Sequence, residues 1–320
     1  MTCAIIIPSI NFDKLLAICV SKCLEQKYKK IKIYLILDNI PKIKIKNKKI
    51  IYLKCDGNIS KKRNYGAKFS KENYLAFIDS DAYPNKKWIK TGIDFFLKNN
   101  FNGLLTGPDL AFPNEKGIEK IISFVNKSVF ISGSKSYRKN TKAISKFVEQ
   151  ASSCNMMLKK SLFFKINGMD EDIYTGEDIA FCDKIKKNNF KIYFLNSFKI
   201  FHKTRSLKSF LIQRFVYGTS VFSSFKHSNV FKNLEFFIPA IIITIPLIVL
   251  IFFNEYIFKN LIIYVSLSLI ILLESYKISN LKFSLIIYFL IILSTLLFGL
   301  GTLSKVFLSV KNIKKIYLKR

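Results

Sequence analysis

Apolar residues follow two different patterns on either side of Glu235. Before it, short apolar runs bounded by turn residues alternate with stretches of helical periodicity, as in chains built from βαβ units. The predicted strands are Cys3–Pro8, Ile31–Asp38, Lys49–Cys55, Tyr74–Asp79, Gly103–Gly107, Ser153–Leu158 and Lys191–Asn196. The predicted helices include Asp13–Gln26, for which Asp13 is the expected N-cap, Lys61–Phe69 and Asp178–Lys187. This order predicts an α/β domain with a mostly parallel sheet.

Beyond Glu235 the apolar residues form long runs that are typical of membrane segments. Phe236–Phe253 contains about 18 residues and Phe283–Ser304 about 22, and each is long enough to cross a hydrocarbon core. Asn260–Leu273, with about 14, has the length of a re-entrant or interfacial segment. The basic residues of Lys305–Arg320 predict a cytoplasmic tail. Two crossings with a non-spanning middle would keep both ends of the chain cytoplasmic, and we favour this over three crossings.

Three regions follow from these patterns. The first is the α/β domain, the second an amphipathic linker along the membrane surface, and the third a membrane anchor of two or three apolar segments with a basic tail; they comprise residues 1–205, 206–234 and 235–320. Ser132–Asn140 is polar and basic, which predicts a mobile loop. Met1–Pro8 has no charged residues ahead of its apolar run, so it is interpreted as a first strand and not as a signal peptide.

Composition adds a large positive charge. The 52 lysines and arginines exceed the 21 acidic residues and give a net charge of +31, which suits an anionic membrane surface or nucleic acid. Because no recognition helix or zinc motif accompanies the charge, we expect a membrane partner and no nucleic acid. Nearly all positive charge is lysine, so the few arginines are candidates for phosphate or carboxylate contacts: Arg63, Arg138, Arg205 and Arg214. The 6 cysteines form no CxxC pair, which fits buried thiols in the cytoplasm.

The clearest chemical signal is Asp79-Ser80-Asp81 at the end of an apolar strand. Open α/β sheets bind ligands at the carboxyl ends of their parallel strands. Carboxylates there can hold a divalent cation that bridges phosphates and stabilises a diphosphate leaving group. The same tripeptide is also common as a solvated turn, so the motif alone does not decide between the two interpretations.

Two further features carry possible chemistry. Gly176-Glu177-Asp178 opens a predicted helix, where acids either favour the helix dipole or supply a general base. His202 follows the last predicted strand, and a neutral imidazole there can either pack as an ordinary side chain or complete a metal site begun by Asp81.

Together these motifs resemble the family 2 glycosyltransferases of the GT-A fold, a Rossmann-like α/β architecture, in their exopolysaccharide-type, membrane-anchored form. The resemblance covers about residues 3–220, with its motifs in the family order. It rests on the opening strand and helix, on Ser60–Ala67, on the DxD motif of Asp79 and Asp81, on Ser153–Met157 with Gly168–Glu171, on Gly176–Asp178 and on His202 with Gln213–Gly218.

The resemblance implies roles for individual residues. Donor binding falls to Pro8, Ser9, Asp38, Arg63 and Asp79. A divalent cofactor, Mg²⁺ or Mn²⁺, would be bound by Asp81 and His202, while Asp178 acts as the base and Glu177 orients it or the acceptor. Further phosphate or acceptor contacts are expected from Arg205, Gln213 and Arg214.

The implied reaction is inverting transfer from a UDP- or GDP-sugar to a lipid-linked saccharide hydroxyl, in surface polysaccharide synthesis. The catalytic domain would face the cytoplasm from a multi-pass anchor in the cell membrane. Two alternatives stay open, namely a polyprenyl-phosphate glycosyltransferase and a catalytically silent membrane-tethered binding module. The sequence departs from the family pattern in that Asp38-Asn39-Ile40-Pro41 replaces Asp-Asp-Gly-Ser and Ser9-Ile10-Asn11 replaces Thr-Tyr-Asn. The Gln-x-x-Arg-Trp motif is also missing, because Val216 and Tyr217 stand three and four positions after Gln213, which argues against a processive synthase.

Overall fold

The computed structural model describes residues 1–173, 175–225, 237–252 and 256–304. The chain divides into two compact units. The first consists of Met1–Pro113 and Arg138–Lys203, and the second of Asn114–Tyr137 with the described residues from Thr204 onward. Residues 114–137 fall within the range predicted for the α/β domain, yet they pack in the second unit.

The first unit is an α/β domain built on two sheets. The strands are β1 Cys3–Ser9, β2 Ile31–Leu37, β3 Ile50–Lys54, β4 Tyr74–Phe77, β5 Ala82–Pro84, β6 Gly103–Thr106, β7 Asp109–Ala111, β8 Lys146–Phe147, β9 Met156–Lys159, β10 Lys191–Phe194 and β11 Ile200–His202. An 8-stranded sheet has the order β3-β2-β1-β4-β9-β6-β10-β8, and a 3-stranded sheet has the order β5-β11-β7. In the large sheet β9 runs antiparallel to β4 and β6, and β8 antiparallel to β10, whereas the other pairs are parallel. The predicted mostly parallel α/β architecture is confirmed.

Helices cover the large sheet through two apolar clusters. One cluster joins β1 and β2 to the first helix and to Trp88, and the other packs around Phe77, Phe163 and Phe181. The helices of this unit are α1 Lys14–Leu24, α2 Ile59–Phe69, α3 Trp88–Lys98, α6 Lys160–Lys165 and α7 Glu177–Lys187. Asp13 caps α1 by accepting from the main-chain N–H of Leu16 at 2.8 Å, so that predicted cap is confirmed.

Local differences from the predicted elements have local causes. The helix predicted from Lys61 begins at Ile59, because Asn58 accepts from the N–H of Lys61 as an N-cap. The strand predicted from Ser153 begins only at Met156, because Asn155 closes a turn onto the carbonyl of Ser152. The predicted mobile loop contains a 3₁₀ helix, Gly133–Lys139.

The second unit is helical. Its helices are α4 Gly117–Val125, α5 Val129–Ser132, α8 Leu207–Phe225, α9 Ile238–Phe252, α10 Ile257–Ile278 and α11 Leu281–Ser304. By length and composition, Phe258–Ile278 and Leu281–Ser304 could each cross a membrane. The segment predicted as a short middle piece, Asn260–Leu273, thus lies inside a 22-residue helix that continues past Glu274. The basic tail predicted for residues 305–320, and residues 226–234 of the predicted linker, lie outside the described residues.

Buried polar groups and close backbone contacts hold the second unit together. Glu274 accepts from the hydroxyl of Ser128 at 2.5 Å and from the main-chain N–H of Val129 at 2.8 Å. Helices α8 and α11 approach so closely that a Cβ on Gly218 would lie 2.0 Å from the carbonyl oxygen of Phe298. Small residues permit such contact between helices.

Candidate active site

Three residues predicted to bind the donor nucleotide lie together at the carboxyl ends of β1 and β2. Pro8 and Ser9 end β1, and Asp38 follows β2 directly. Lys62 of α2 joins them, because its Nζ donates to the carbonyl oxygen of Ser9 at 2.7 Å and lies 2.5 Å from the Asp38 carboxylate. Lys62 is almost fully buried and was not singled out from the sequence. The helical pattern of α2 does not indicate this contact, because only the folded chain brings Lys62 against Ser9 and Asp38.

Arg63, the next residue of α2, connects the two acidic motifs. Its side chain is fully buried, and it donates to Asp79 at 2.6 Å and to Glu177 at 3.4 Å. Burial by itself raises the pKa of Asp79, but Arg63 and His202 outweigh that effect and lower the pKa to about 2. Asp79 is therefore a carboxylate over the whole physiological range.

Sheet pairing places His202 beside the DxD motif. Strands β5 and β11 are antiparallel, with His202 opposite Ala82, the residue after Asp81. The ring Nε2 lies 3.2 Å from Asp81 and 3.9 Å from Asp79, while Nδ1 lies 3.1 Å from the carbonyl oxygen of Lys203. A histidine nitrogen bound to a carbonyl in this way leaves the other nitrogen directed at a metal in many metal sites.

This arrangement fits a divalent cation. Burial lowers the pKa of His202, but Asp81 and Asp79 overcome it and raise the pKa to about 10. Two carboxylates therefore favour positive charge at the position that the imidazole occupies. Carboxylate oxygens with one imidazole nitrogen are a donor set that Mg²⁺ and Mn²⁺ accept, so the residues suit the predicted cofactor.

The paired acids of α7 differ in their surroundings. Gly176, in the left-handed region with φ 77°, precedes the helix and sets its first turn. Glu177 accepts from the hydroxyl of Ser153 at 3.2 Å as well as from Arg63. Burial and the neighbouring Asp178 raise the pKa of Glu177 to about 7, against the opposing effect of Arg63. Asp178 is half-buried, and its carboxylate accepts from the N–H of Ile179.

Two residues near the cluster were not predicted as site residues. Asp109, at the start of β7, accepts from Lys139 at 2.7 Å and lies 3.9 Å from the thiol sulfur of Cys154. Burial raises the pKa of Asp109, but Lys139 and Arg138 lower it overall. Asp109 and Cys154 have no partner at a fixed sequence spacing, because their neighbours come from β11 and from the segment 138–139.

The remaining predicted contacts belong to the second unit. Arg205 is half-buried just before α8, and Gln213 donates to the hydroxyl of Tyr217 at 2.7 Å. Arg214 is buried; its Nη1 donates to the carbonyl oxygen of Ile131 at 3.2 Å, and its guanidinium lies 4.9 Å from the ring centre of Phe298. The other predicted site residues, from Pro8 to His202, all belong to the first unit.

Two protein-family models match parts of this chain. A family model described as glycosyl transferase family 2 matches residues 4–165, just over half of the chain. A second model, described as the N-terminal domain of galactosyltransferase, matches residues 139–209. No curated protein sequence matches the chain.

Two solved structures are similar to this chain at low identity. The crystal structure of S. aureus TarS shares 15% identity at a TM-score of 0.45, over 73% of this chain and 41% of that one. The crystal structure of GalNAc-T7 with UDP, GalNAc and Mn²⁺ shares 14% identity at a TM-score of 0.48, over 64% of this chain and 44% of that one. The chain thus spans less than half the length of either structure.

Proposed function

Because the chain belongs to glycosyl transferase family 2, we propose that it moves a sugar from a nucleotide-sugar donor to an acceptor hydroxyl. The donor would be a UDP- or GDP-sugar, and the reaction would invert the anomeric configuration. The observation that carries the proposal is the cluster of Asp79, Asp81 and His202, in which the ring Nε2 of His202 lies 3.2 Å from an Asp81 oxygen and 3.9 Å from an Asp79 oxygen.

The cluster suits the departure of a nucleoside diphosphate. Asp81 and His202 would bind a Mg²⁺ or Mn²⁺ ion, which would stabilise the negative charge that develops on the diphosphate. Binding requires the neutral form of His202, so its proton must leave when an ion takes over the positive charge. Asp79, held by Arg63, is positioned to accept hydrogen bonds from the ribose or the donor sugar.

The nucleotide itself would lie at the ends of β1 and β2. Pro8, Ser9 and Asp38 would contact the base there, and Lys62 fixes Asp38 by its ion pair. A buried lysine that is paired with a carboxylate and a carbonyl is held in one position, so the base-binding edge is preorganised. This supports donor binding at the carboxyl ends of the strands, where α/β sheets receive their ligands.

Two acids would divide the work on the acceptor. Glu177 is held by Arg63 and Ser153 and would orient the acceptor. Asp178 would remove the proton of the acceptor hydroxyl. The hydroxyl oxygen then attacks the anomeric carbon on the face opposite the nucleotide, the bond from that carbon to the diphosphate oxygen breaks, and the diphosphate leaves.

The helices of the second unit support a membrane location. Two of them have the length and composition of membrane spans. A catalytic unit attached to such helices would meet a lipid-linked acceptor, so we propose a lipid-linked saccharide as acceptor and a surface glycan as product. In this scheme the catalytic domain faces the cytoplasm, where nucleotide sugars are made.

The test is to incubate the purified full chain with a panel of nucleotide sugars and Mn²⁺ and to measure the release of nucleoside diphosphate. We expect release from one donor class, its loss in EDTA and its recovery with added Mn²⁺. Asp94→Asn, an exposed change in the same unit, serves as the matched control. A folded protein that releases no diphosphate from any donor, with lipid-linked acceptors present, would contradict the proposal.

A further inference from the structure

The cluster around His202 includes a thiol that the proposed mechanism does not use. Cys154 is buried, and its sulfur, an Asp79 oxygen and a His202 nitrogen all lie within 4.8 Å of one another. Asp79 and His202 already serve the proposed reaction, whereas a thiol has no part in binding a hard cation or a diphosphate. The proposed reaction therefore does not explain why a thiol lies at this position.

The position of Cys154 is fixed by the turn before β9. Its neighbour Asn155 accepts from the indole N–H of Trp88 and donates to the carbonyl oxygens of Pro108 and Phe198. The hydroxyl of Ser152 lies 3.1 Å from the sulfur. The contacts of Asn155 hold the main chain beside Cys154 in place, and the contact with Ser152 restrains the thiol itself.

We propose that Asp79, Cys154 and His202 form a binding site for thiophilic divalent ions, such as Zn²⁺ or Cd²⁺, overlapping the site of the catalytic ion. One sulfur, one nitrogen and one oxygen with an open fourth position are a donor set that zinc accepts. When the ion binds, a metal–sulfur bond forms and the thiol proton passes to solvent, as does the proton of His202.

The observed separations are compatible with such an ion. Tetrahedral zinc, with bonds of about 2.3 Å to sulfur and about 2.0 Å to nitrogen, places neighbouring ligand atoms about 3.5 Å apart. The three ligand atoms are spread by up to 4.8 Å, so they need to close by roughly 1 Å, within the reach of small side-chain rotations.

The consequence for the enzyme rests on the proposed function. An ion held by sulfur and His202 would exclude the diphosphate-bridging ion, because both use the same imidazole. We expect Zn²⁺ to inhibit transfer in competition with Mn²⁺, and we expect Cys154→Ser to relieve that inhibition by at least tenfold in the Zn²⁺ concentration required.

The binding test uses Cd²⁺ alone and needs no sugar donor. The full chain is titrated with Cd²⁺, and the ultraviolet thiolate-to-cadmium charge-transfer band is recorded together with the heat of binding. The wild type and Cys55→Ser, a change at another buried thiol of the same unit, should both show the band. Cys154→Ser should lose it and bind Cd²⁺ at least tenfold more weakly, while Mn²⁺ affinity stays within about twofold. An unchanged band in Cys154→Ser would overturn the proposal.

A second measurement needs no variant. Cadmium-113 magnetic resonance of the wild-type chain with one equivalent of Cd²⁺ should report a sulfur ligand, and a shift typical of oxygen and nitrogen ligands alone would overturn the proposal even if Cys154→Ser failed to fold. The two proposals can fail separately. A cadmium–thiolate band without turnover of any donor would reject the proposed function and keep this site, and donor turnover without the band would do the reverse.

Discussion

Around the DxD motif of the first unit the ionisable side chains contact one another, whereas in the second unit Glu274 and Arg214 contact main-chain groups and a hydroxyl. Arg63, Asp79 and His202 form one connected set, with Glu177 and Asp81 at its ends. In the second unit Glu274 bonds to Ser128 and to the N–H of Val129. The second arrangement satisfies the carboxylate and stabilises the fold. The first leaves acids close together, which costs stability and, under the proposed function, would create affinity for a cation.

The pKa values express the same difference. Arg63 and His202 overcome the effect of burial and lower the pKa of Asp79 to about 2, whereas burial and the neighbouring Asp178 raise the pKa of Glu177 to about 7. Groups whose pKa values are driven apart by their surroundings are typical of catalytic sites. The comparison therefore predicts losses of activity from changes in the first set and losses of stability from changes at Glu274.

The largest effect is expected at Asp81. Asp81→Asn removes one carboxylate from the set and with it a ligand of the catalytic ion, so transfer should fall by about 10³-fold, as when a group that stabilises developing charge is lost. Initial rates of diphosphate release at saturating donor check this. Asp94→Asn, which is exposed, should stay within about twofold. Activity of Asp81→Asn near that of the wild type would remove this carboxylate from the mechanism.

The next effect separates the two acids of α7. Asp178→Asn removes the proposed base and should reduce transfer by about 10²-fold or more, with little change in the affinity for nucleoside diphosphate and Mn²⁺. Calorimetric titration measures that affinity. Glu177→Gln should cost less, because Gln can still accept from Ser153 and Arg63. The reverse ranking would make Glu177, with its pKa of about 7, the base.

Near-normal transfer in Asp178→Asn would instead indicate an acceptor that needs no base, such as a polyprenyl phosphate. A lipid phosphate is already ionised and nucleophilic at neutral pH, so it would depend on Asp81 and not on Asp178. Supplying polyprenyl phosphate and a lipid-linked saccharide side by side to the wild type and to Asp178→Asn distinguishes the two acceptors.

In the second unit, Glu274→Ala should lower stability without lowering the turnover of the folded molecules. It removes two hydrogen bonds to a charged group, each worth about 1.5–3 kcal/mol, although partial replacement by water reduces the total. Thermal unfolding in detergent measures the loss. Lys277→Ala, an exposed change on the same helix, is the matched control. Equal unfolding temperatures for the two variants would contradict the role of Glu274 as a structural contact.

The smallest effect is a pH dependence at Glu177. Its pKa is about 7 in the folded chain against 4.5 for a free glutamate, so the folded state binds the extra proton. Stability from this group is therefore greatest below pH 4.5 and is lost as pH rises through 7. The stability of Glu177→Gln relative to the wild type should therefore increase by the order of 1–2 kcal/mol as the pH rises from 5 to 8. Chemical unfolding in EDTA measures it, with the exposed Glu149→Gln as control. A gain that shrinks with rising pH would contradict the assignment.

The local sequence was sufficient to predict most of the strands of the first unit. Strands β1, β2 and β10 begin at the predicted residues, because each is an apolar run ended by a turn. The Asp13 cap was also predictable from the local sequence, because a cap bonds within three residues of its own position. The 3₁₀ helix at Gly133–Lys139 was not, because its polar composition fits a loop equally well.

In the candidate site too, residues that belong to short local motifs were predictable, and residues with distant partners were not. Asp79, Asp81, Glu177 and Asp178 were visible because acids at strand ends and helix starts form short motifs. Lys62 and Asp109 were not, because their roles depend on partners far away in the sequence. Cys154 was predicted as a buried thiol and as part of the motif Ser153–Met157, without a role in metal binding. Its proximity to His202 arises from the pairing of β11 with β5 and β7, which no local pattern encodes.

The central claim is that Asp79, Asp81 and His202 create affinity for a divalent ion beneath a nucleoside diphosphate. Calorimetric titration of UDP and of GDP, each in Mn²⁺ and in EDTA, tests it most directly in the wild type and in Asp81→Asn. We predict that one of the two nucleotides binds the wild type at least tenfold more tightly in Mn²⁺, and that Asp81→Asn abolishes this difference. Equal affinity of the wild type in Mn²⁺ and in EDTA would contradict the claim.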